Sequence, residues 1–176
     1  MRSVLAPEPD GPVETVGEAG GLSAAVALAS FCEADVVPRP VACVRLELFV
    51  AHRPELVVAV TFEMSGALVG PLSVLFRHDV ATRLAARHLH DVEQGTFPLS
   101  PLAEEVLVEL AEITADAYAS GVTSTMDEAV TLSIPDLKIG AGQDVLPIAL
   151  KSVHRGRVIV APLVVDGCEI VVVHGI

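Results

Sequence analysis

The chain has 176 residues, of which 52% are apolar, so it is long enough for one compact domain with a sizeable core, or for two fused halves. Its 23 acidic and 11 basic residues give a formal net charge of −12, which disfavours a nucleic-acid backbone or an anionic membrane as a partner. With five Phe, one Tyr and no Trp, the chain also lacks the side chains for a base-stacking surface or an aromatic cation cage.

The cysteines and the apolar runs indicate where the protein resides. Cys32, Cys43 and Cys168 are odd in number and lack C-x-x-C spacing, which argues against a disulfide framework or a zinc knuckle. The N-terminus shows no signal-peptide pattern, and the most apolar runs, 22–31 and 170–173, are shorter than the roughly 20 residues of a membrane helix. We therefore expect a soluble cytoplasmic protein with no membrane partner and no metal ligands of its own.

The first half predicts one helix, three strands and a second helix. Residues 1–12 are rich in Pro and Gly and are expected to be flexible. A helical pattern over 13–30 is followed by strand-like runs at 41–50, 56–63 and 67–76, the second of which is continuous and β-branched. Apolar spacing then predicts an amphipathic helix over about 78–90.

The second half repeats this order. The strongest helical pattern of the chain covers 99–122, and strand-like runs follow at 144–154, 157–165 and 168–174. We therefore predict a single domain over 13–176, built from half-repeats at about 13–90 and 99–176. Three residues of the first half align with three of the second at an offset of 95: Glu14, Gly17 and Pro40 with Glu109, Glu112 and Pro135.

The spacing around these residues resembles the signature of the CheC/CheX/FliY chemotaxis phosphatase family. That signature is Asp or Ser, three residues, Glu, two residues, Asn, then twenty-two residues and Pro. The second half reads Glu105-x3-Glu109-x2-Glu112-x22-Pro135, and the first reads Asp10-x3-Glu14-x2-Gly17-x22-Pro40. The run AEITADAYASGV, with Tyr118, is also similar to the segment that follows the catalytic Glu in that family.

The resemblance implies a fold, a partner and a mechanism. The fold would be α/β, with two pseudo-symmetric halves forming one continuous antiparallel or mixed sheet and long helices packed on one face. The partner would be a phosphorylated CheY-type receiver domain, which carries its own Mg²⁺, so the chain would need no cofactor. Glu109 would contact the active-site lysine of the receiver, and residue 112 would orient the water that attacks the aspartyl phosphate. Some members of the family also work with a CheD-like deamidase.

Both halves depart from the signature at the asparagine. An amide can accept a hydrogen bond from water and donate one to a phosphoryl oxygen, whereas an ionised Glu112 can only accept. A carboxylate 4 Å from a phosphoryl charge is repelled by about 4 kcal/mol at an effective dielectric constant near 20. Gly17 has no side chain with which to position water.

These departures leave three hypotheses open. The first is a CheC-like protein that binds a receiver and has weak or altered phosphatase activity, with Glu112 as a general base, which would require a raised pKa. The second is an inactive adaptor or regulator. The third is an acidic module that binds a divalent cation. At about 100° per residue, four carboxylates fall within an arc of about 60° on one helix, which also fits an ordinary solvated face: Glu105, Glu109, Glu112 and Asp116.

Overall fold

The computed structural model describes residues 11–66, 68–89, 98–126 and 128–176. The first half contains α1 (Gly11–Cys32), β1 (Val36–Pro38), β2 (Ala42–Arg45), α2 (Leu46–Ala51), β3 (Leu56–Gly66), β4 (Gly70–Arg77) and α3 (His78–His88). The second half contains α4 (Pro101–Met126), β5 (Val130–Leu132), β6 (Asp136–Ala141), α5 (Gly142–Ala149), β7 (Arg157–Val165) and β8 (Cys168–Gly175).

The eight strands form one antiparallel sheet in which the two halves exchange strands. The order is β1-β7-β8-β4-β3-β5, with β2 also on β7 and β6 also on β3. The short strands of each half therefore pair with the long hairpin of the other half, and the two hairpins meet where β4 pairs with β8. This arrangement confirms the prediction of one continuous antiparallel sheet.

The long helices pack on one face of the sheet, as predicted. Alternate residues of the central strands point to that face and join α1, α3 and α4 in the larger core, which includes Val60, Phe76, Leu110, Leu163 and Val172. The other face is covered by α2 and α5, which the sequence analysis did not foresee. There Phe49 and Leu146 pack on a second apolar layer that includes Val160 and Val173.

Two of the predicted strands are wrong. Only 42–45 of the predicted strand 41–50 is extended, and 46–51 forms a helical turn that buries Phe49. Most of the predicted strand 144–154 is α5, where Val145, Leu146 and Ala149 are buried at helical spacing. The strands that occupy these places in the second half, β5 and β6, lie earlier, within 130–141, where the sequence analysis predicted no strand. Short apolar runs fit both periods, and packing against the sheet selects the helix.

One helix within the described ranges is long and apolar enough to cross a membrane, namely Val13–Cys32. It lies near the N-terminus, and nearly half of its residues are buried against the rest of the protein. A core helix of a soluble protein has the same length and composition, so this helix is weak support for a membrane span.

Candidate functional site

The helix α4 begins at a clear capping signal. The Ser100 hydroxyl accepts a hydrogen bond from the Ala103 backbone N–H at 3.2 Å, and Pro101 occupies the first helical position, where its missing N–H costs nothing. Glu104 lies in the first turn, where the partial positive charge of the helix N-terminus favours a carboxylate.

One side of α4 is anchored in the core, and this fixes which residues face outward. Leu107, Leu110, Thr114 and Tyr118 are fully buried, and the Thr114 hydroxyl donates a hydrogen bond to the Leu110 carbonyl at 2.6 Å. The exposed residues lie on the opposite stripe at spacings of three and four: Leu102, Glu105, Glu109, Glu112, Asp116 and Ser120. The structure thus brings the four carboxylates singled out in the sequence onto one exposed face.

This face is acidic, and its own helix has no basic residue to balance the negative charge. The sequence of α4 contains five acidic residues and no Lys, Arg or His, and that of the neighbouring α1 contains Glu14 and Glu18, also without a basic residue. Within the described parts of the chain, none of the four stripe carboxylates forms an ion pair within 4.0 Å. Their charges are therefore open to a partner.

Tyr118 is buried between α1 and the sheet. Its ring packs against Gly20 of α1, where an added Cβ would fall 2.6 Å from Tyr118 Cε2. On the sheet side it meets the His174 ring edge-on, with 5.9 Å between the ring centroids. Burial raises the pKa of the Tyr118 hydroxyl and lowers the pKa of His174 to about 4. The hydroxyl and both His174 nitrogens lack a hydrogen-bond partner among the described residues.

The first copy of the motif does not form an equivalent surface. Gly17 is buried, and a Cβ at this position would fall 2.6 Å from Ile159 Cγ2 and 2.8 Å from Val41 Cγ1. Glu14 is half-buried, and Asp10 lies outside the described residues. The position that the sequence offset of 95 aligns with Glu112 therefore points into the protein and not towards a partner.

The burial patterns of α1 and α4 explain why residue 17 points into the protein. The two helices match at an offset of 94 residues, so that Thr15 aligns with Glu109 and Glu18 with Glu112. The first strands keep this offset, since β1 begins at Val36 and β5 at Val130. The offset is 96 at the short helices, since α2 begins at Leu46 and α5 at Gly142. The offset of 95 predicted from the sequence is therefore not the structural register of the helices. The exposed stripe of α1 is Thr15, Glu18, Leu22, Val26 and Ser30.

The glycines of α1 were the signal that could have revealed this register. Gly17, Gly20 and Gly21 are all buried, and at Gly17 and Gly20 an added Cβ would fall 2.6 Å from a neighbouring side chain. A glycine face indicates where a helix packs tightly. The face opposite to it, with Glu18 and Leu22, is then the outward one.

The two prolines of the motif lie apart from the carboxylates, on other elements. Pro40 lies in the connection between β1 and β2 and is exposed, and Pro135 lies in the corresponding connection between β5 and β6 and is half-buried. Pro40 precedes β2 by two residues and Pro135 directly precedes β6, so both lie outside the strands, where a missing N–H removes no ladder hydrogen bond. Across the described ranges, no three His, Cys, Asp or Glu side chains are grouped so that they could hold a metal ion.

No protein-family model and no curated protein matches the sequence. Solved structures do match. FliY from Thermotoga maritima has a TM-score of 0.75 at 16% identity and covers 98% of this chain and 92% of its own. The chemotaxis protein CheX from Desulfovibrio desulfuricans has a TM-score of 0.65 at 15% identity, covering 90% and 97%. The FliM middle domain from Vibrio alginolyticus has a TM-score of 0.64 at 12% identity, covering 93% of both chains. The chain therefore has the fold that FliY, CheX and the FliM middle domain share.

Proposed function

We propose that this chain is a CheC-like protein that binds a phosphorylated CheY-type receiver domain through the exposed carboxylates of α4. The observation that carries the proposal is the stripe of Glu105, Glu109, Glu112 and Asp116, which combines the spacing of the family signature with exposure on one helix face. The fold shared with CheX and FliY supports a role in chemotaxis, in the cytoplasm. A CheD-like deamidase is a second candidate partner.

The negative charge of the stripe favours a partner surface that is basic or that carries a bound metal ion. A carboxylate such as Glu109 forms a strong charge-assisted hydrogen bond with a lysine ammonium group when solvent is excluded between them. The receiver would supply that lysine and its bound Mg²⁺, both of which attract the stripe. Because the stripe lies on a helix anchored by Leu107, Leu110 and Tyr118, the backbone positions that carry its carboxylates are fixed before the partner arrives.

The chemistry favours weak or altered phosphatase activity over the full mechanism. Glu112 occupies the position of the water-orienting amide, and an ionised carboxylate there cannot donate a hydrogen bond to the phosphoryl group. An inactive adaptor is therefore the second candidate. The observation in its favour is that neither outward position carries an amide, since Glu112 on α4 is matched by the exposed Glu18 on α1.

The test is the decay of the phosphorylated receivers of the same organism, with and without the protein. Glu109→Ala removes the carboxylate proposed to contact the receiver lysine. Glu47→Ala makes the same charge change on exposed α2, on the opposite face of the sheet, and is the matched control. Faster decay that is lost in Glu109→Ala and retained in Glu47→Ala is the expected result for a phosphatase.

The remaining outcomes separate the alternatives. Unchanged decay together with binding that depends on phosphorylation and on Glu109 would identify an adaptor. Neither faster decay nor binding would refute the proposed function and leave the fold unaffected.

A further inference from the structure

A groove runs along α1 on the side away from α4. It has a volume of about 370 Å³ and lies between α1 and the connection from β1 to β2. Its lining is mainly apolar and includes Gly21, Leu22, Pro38, Pro40, Val41 and Leu163. Leu22 is 59% exposed, and Val26, one turn further along the same stripe, is 66% exposed. Together they form an apolar ridge beside an apolar groove.

The corresponding stripe of α4 is different. At the structural offset of 94 residues, Leu22 aligns with Asp116 and Val26 with Ser120. The fold thus presents two related helix surfaces, one acidic and one apolar. Burying an exposed leucine or valine side chain removes apolar surface from water, so this surface favours association with a further apolar surface.

The walls of the groove carry opposite charges. Glu18 lines the helix side, and Arg39, between the two prolines, lines the other side. In the described ranges, neither side chain forms an ion pair within 4.0 Å. A patch that contains both a negative and a positive residue is complementary to a second copy of itself. A twofold axis can bring Glu18 of one copy opposite Arg39 of the partner subunit, and the reverse pair opposite each other as well.

We propose that this groove is the interface of a homodimer. The ridge of Leu22 and Val26 of each copy packs into the groove of the other, and Glu18 pairs with Arg39 of the partner subunit. Two copies with a net charge of −12 repel each other, but at 0.15 M salt the Debye length of about 8 Å screens charges outside the contact. The proposal is independent of the proposed function, since it uses the α1 stripe and not the carboxylates of α4.

Analytical ultracentrifugation of the full chain over a wide concentration range tests the proposal. We expect a monomer–dimer equilibrium in the wild type and a dissociation constant at least about tenfold higher, equivalent to 1.4 kcal/mol, in Leu22→Glu. Ile134→Glu is the matched control, because Ile134 is 87% exposed and lies outside the groove, between β5 and β6. Circular dichroism establishes that each variant is folded.

A charge exchange tests the pairing itself. Glu18→Arg and Arg39→Glu should each weaken the dimer, and the double variant should restore it. A wild type that stays monomeric at every concentration would overturn the proposal, and so would a dimer that Leu22→Glu leaves intact. A folded double variant that does not recover dimerisation would overturn it as well, since the charges would then not face each other.

Discussion

Gly17 of α1 lies directly against Ile159 of β7, at a distance where a Cβ on residue 17 would fall 2.6 Å from Ile159 Cγ2. The sequence motif places at this position the residue that corresponds to the catalytic asparagine of the family signature. The packing shows instead that a side chain here has no room. The offset of 95 therefore assigns the asparagine position of the first half to a residue that the packing of α1 on the sheet buries.

We predict that Gly17→Asn lowers stability and adds no activity. Forcing three heavy atoms beyond Cβ between Val41 and Ile159 overpacks the core, which costs about 1–3 kcal/mol. Urea denaturation measures the change in the free energy of unfolding. Ser30→Asn, on the same helix and exposed, is the control and should change it by less than about 0.5 kcal/mol. Equal stability of the two variants would contradict the packing of α1 described above.

We predict that Glu112→Asn increases the rate at which the chain dephosphorylates a bound receiver. The amide restores a donor towards the phosphoryl group and removes a repulsion of about 4 kcal/mol at 4 Å, and even half of that amounts to more than tenfold in rate. The measurement is the decay rate of the phosphorylated receiver under saturating protein. Glu105→Asn makes the same charge change two turns earlier on the same stripe and should not reproduce the gain. If both variants raise the rate equally, reduced charge and not the amide is the cause.

We predict that acid destabilises the fold through His174. Its pKa is about 4 in the folded protein, against 6.5 for the unperturbed side chain, because burial disfavours the charged form. Between these values the unfolded chain binds the proton and the folded chain does not, so stability falls as the pH drops below 6.5. The loss reaches about 2 kcal/mol at pH 5 and about 3 kcal/mol below pH 4.

Comparison with His174→Leu isolates this contribution, because the carboxylates titrate alike in both proteins. The stability of the variant should fall less steeply between pH 7 and pH 4. His154→Leu, at an exposed histidine, should leave the slope unchanged. Parallel curves for the wild type and His174→Leu would show that His174 is protonated in the folded state.

We predict that Tyr118→Phe raises stability. The Tyr118 hydroxyl is buried without a hydrogen-bond partner among the described residues, so it carries a desolvation cost that phenylalanine avoids. The expected gain is about 1 kcal/mol, read from thermal or urea unfolding. The ring itself is needed, because it fills the space between Gly20 and His174. Tyr118→Leu should accordingly destabilise the protein, and a loss of stability in Tyr118→Phe would mean that the hydroxyl has a partner in solution.

The sequence by itself was sufficient to predict the class of fold and which face of α4 points outward. Helical periodicity over 99–122 follows from which side chains can reach the core, so the exposure of Glu105, Glu109, Glu112 and Asp116 could be predicted from their spacing. The long central strands were also predictable, because their continuous β-branched runs suit a strand that is buried on both faces.

Only the tertiary structure decided the rotation of α1, the exchange of short strands between the halves and the identity of α2 and α5. Each depends on contacts between residues distant in the chain, such as Gly17 with Ile159 or Val58 with Ile139. Local patterns do not contain these contacts, since a short apolar run can be buried as a strand or as a helix. The exposed apolar stripe of α1 became apparent only once the partners of its glycines were known, because packing against the sheet determines which side of a nearly all-apolar helix remains in water.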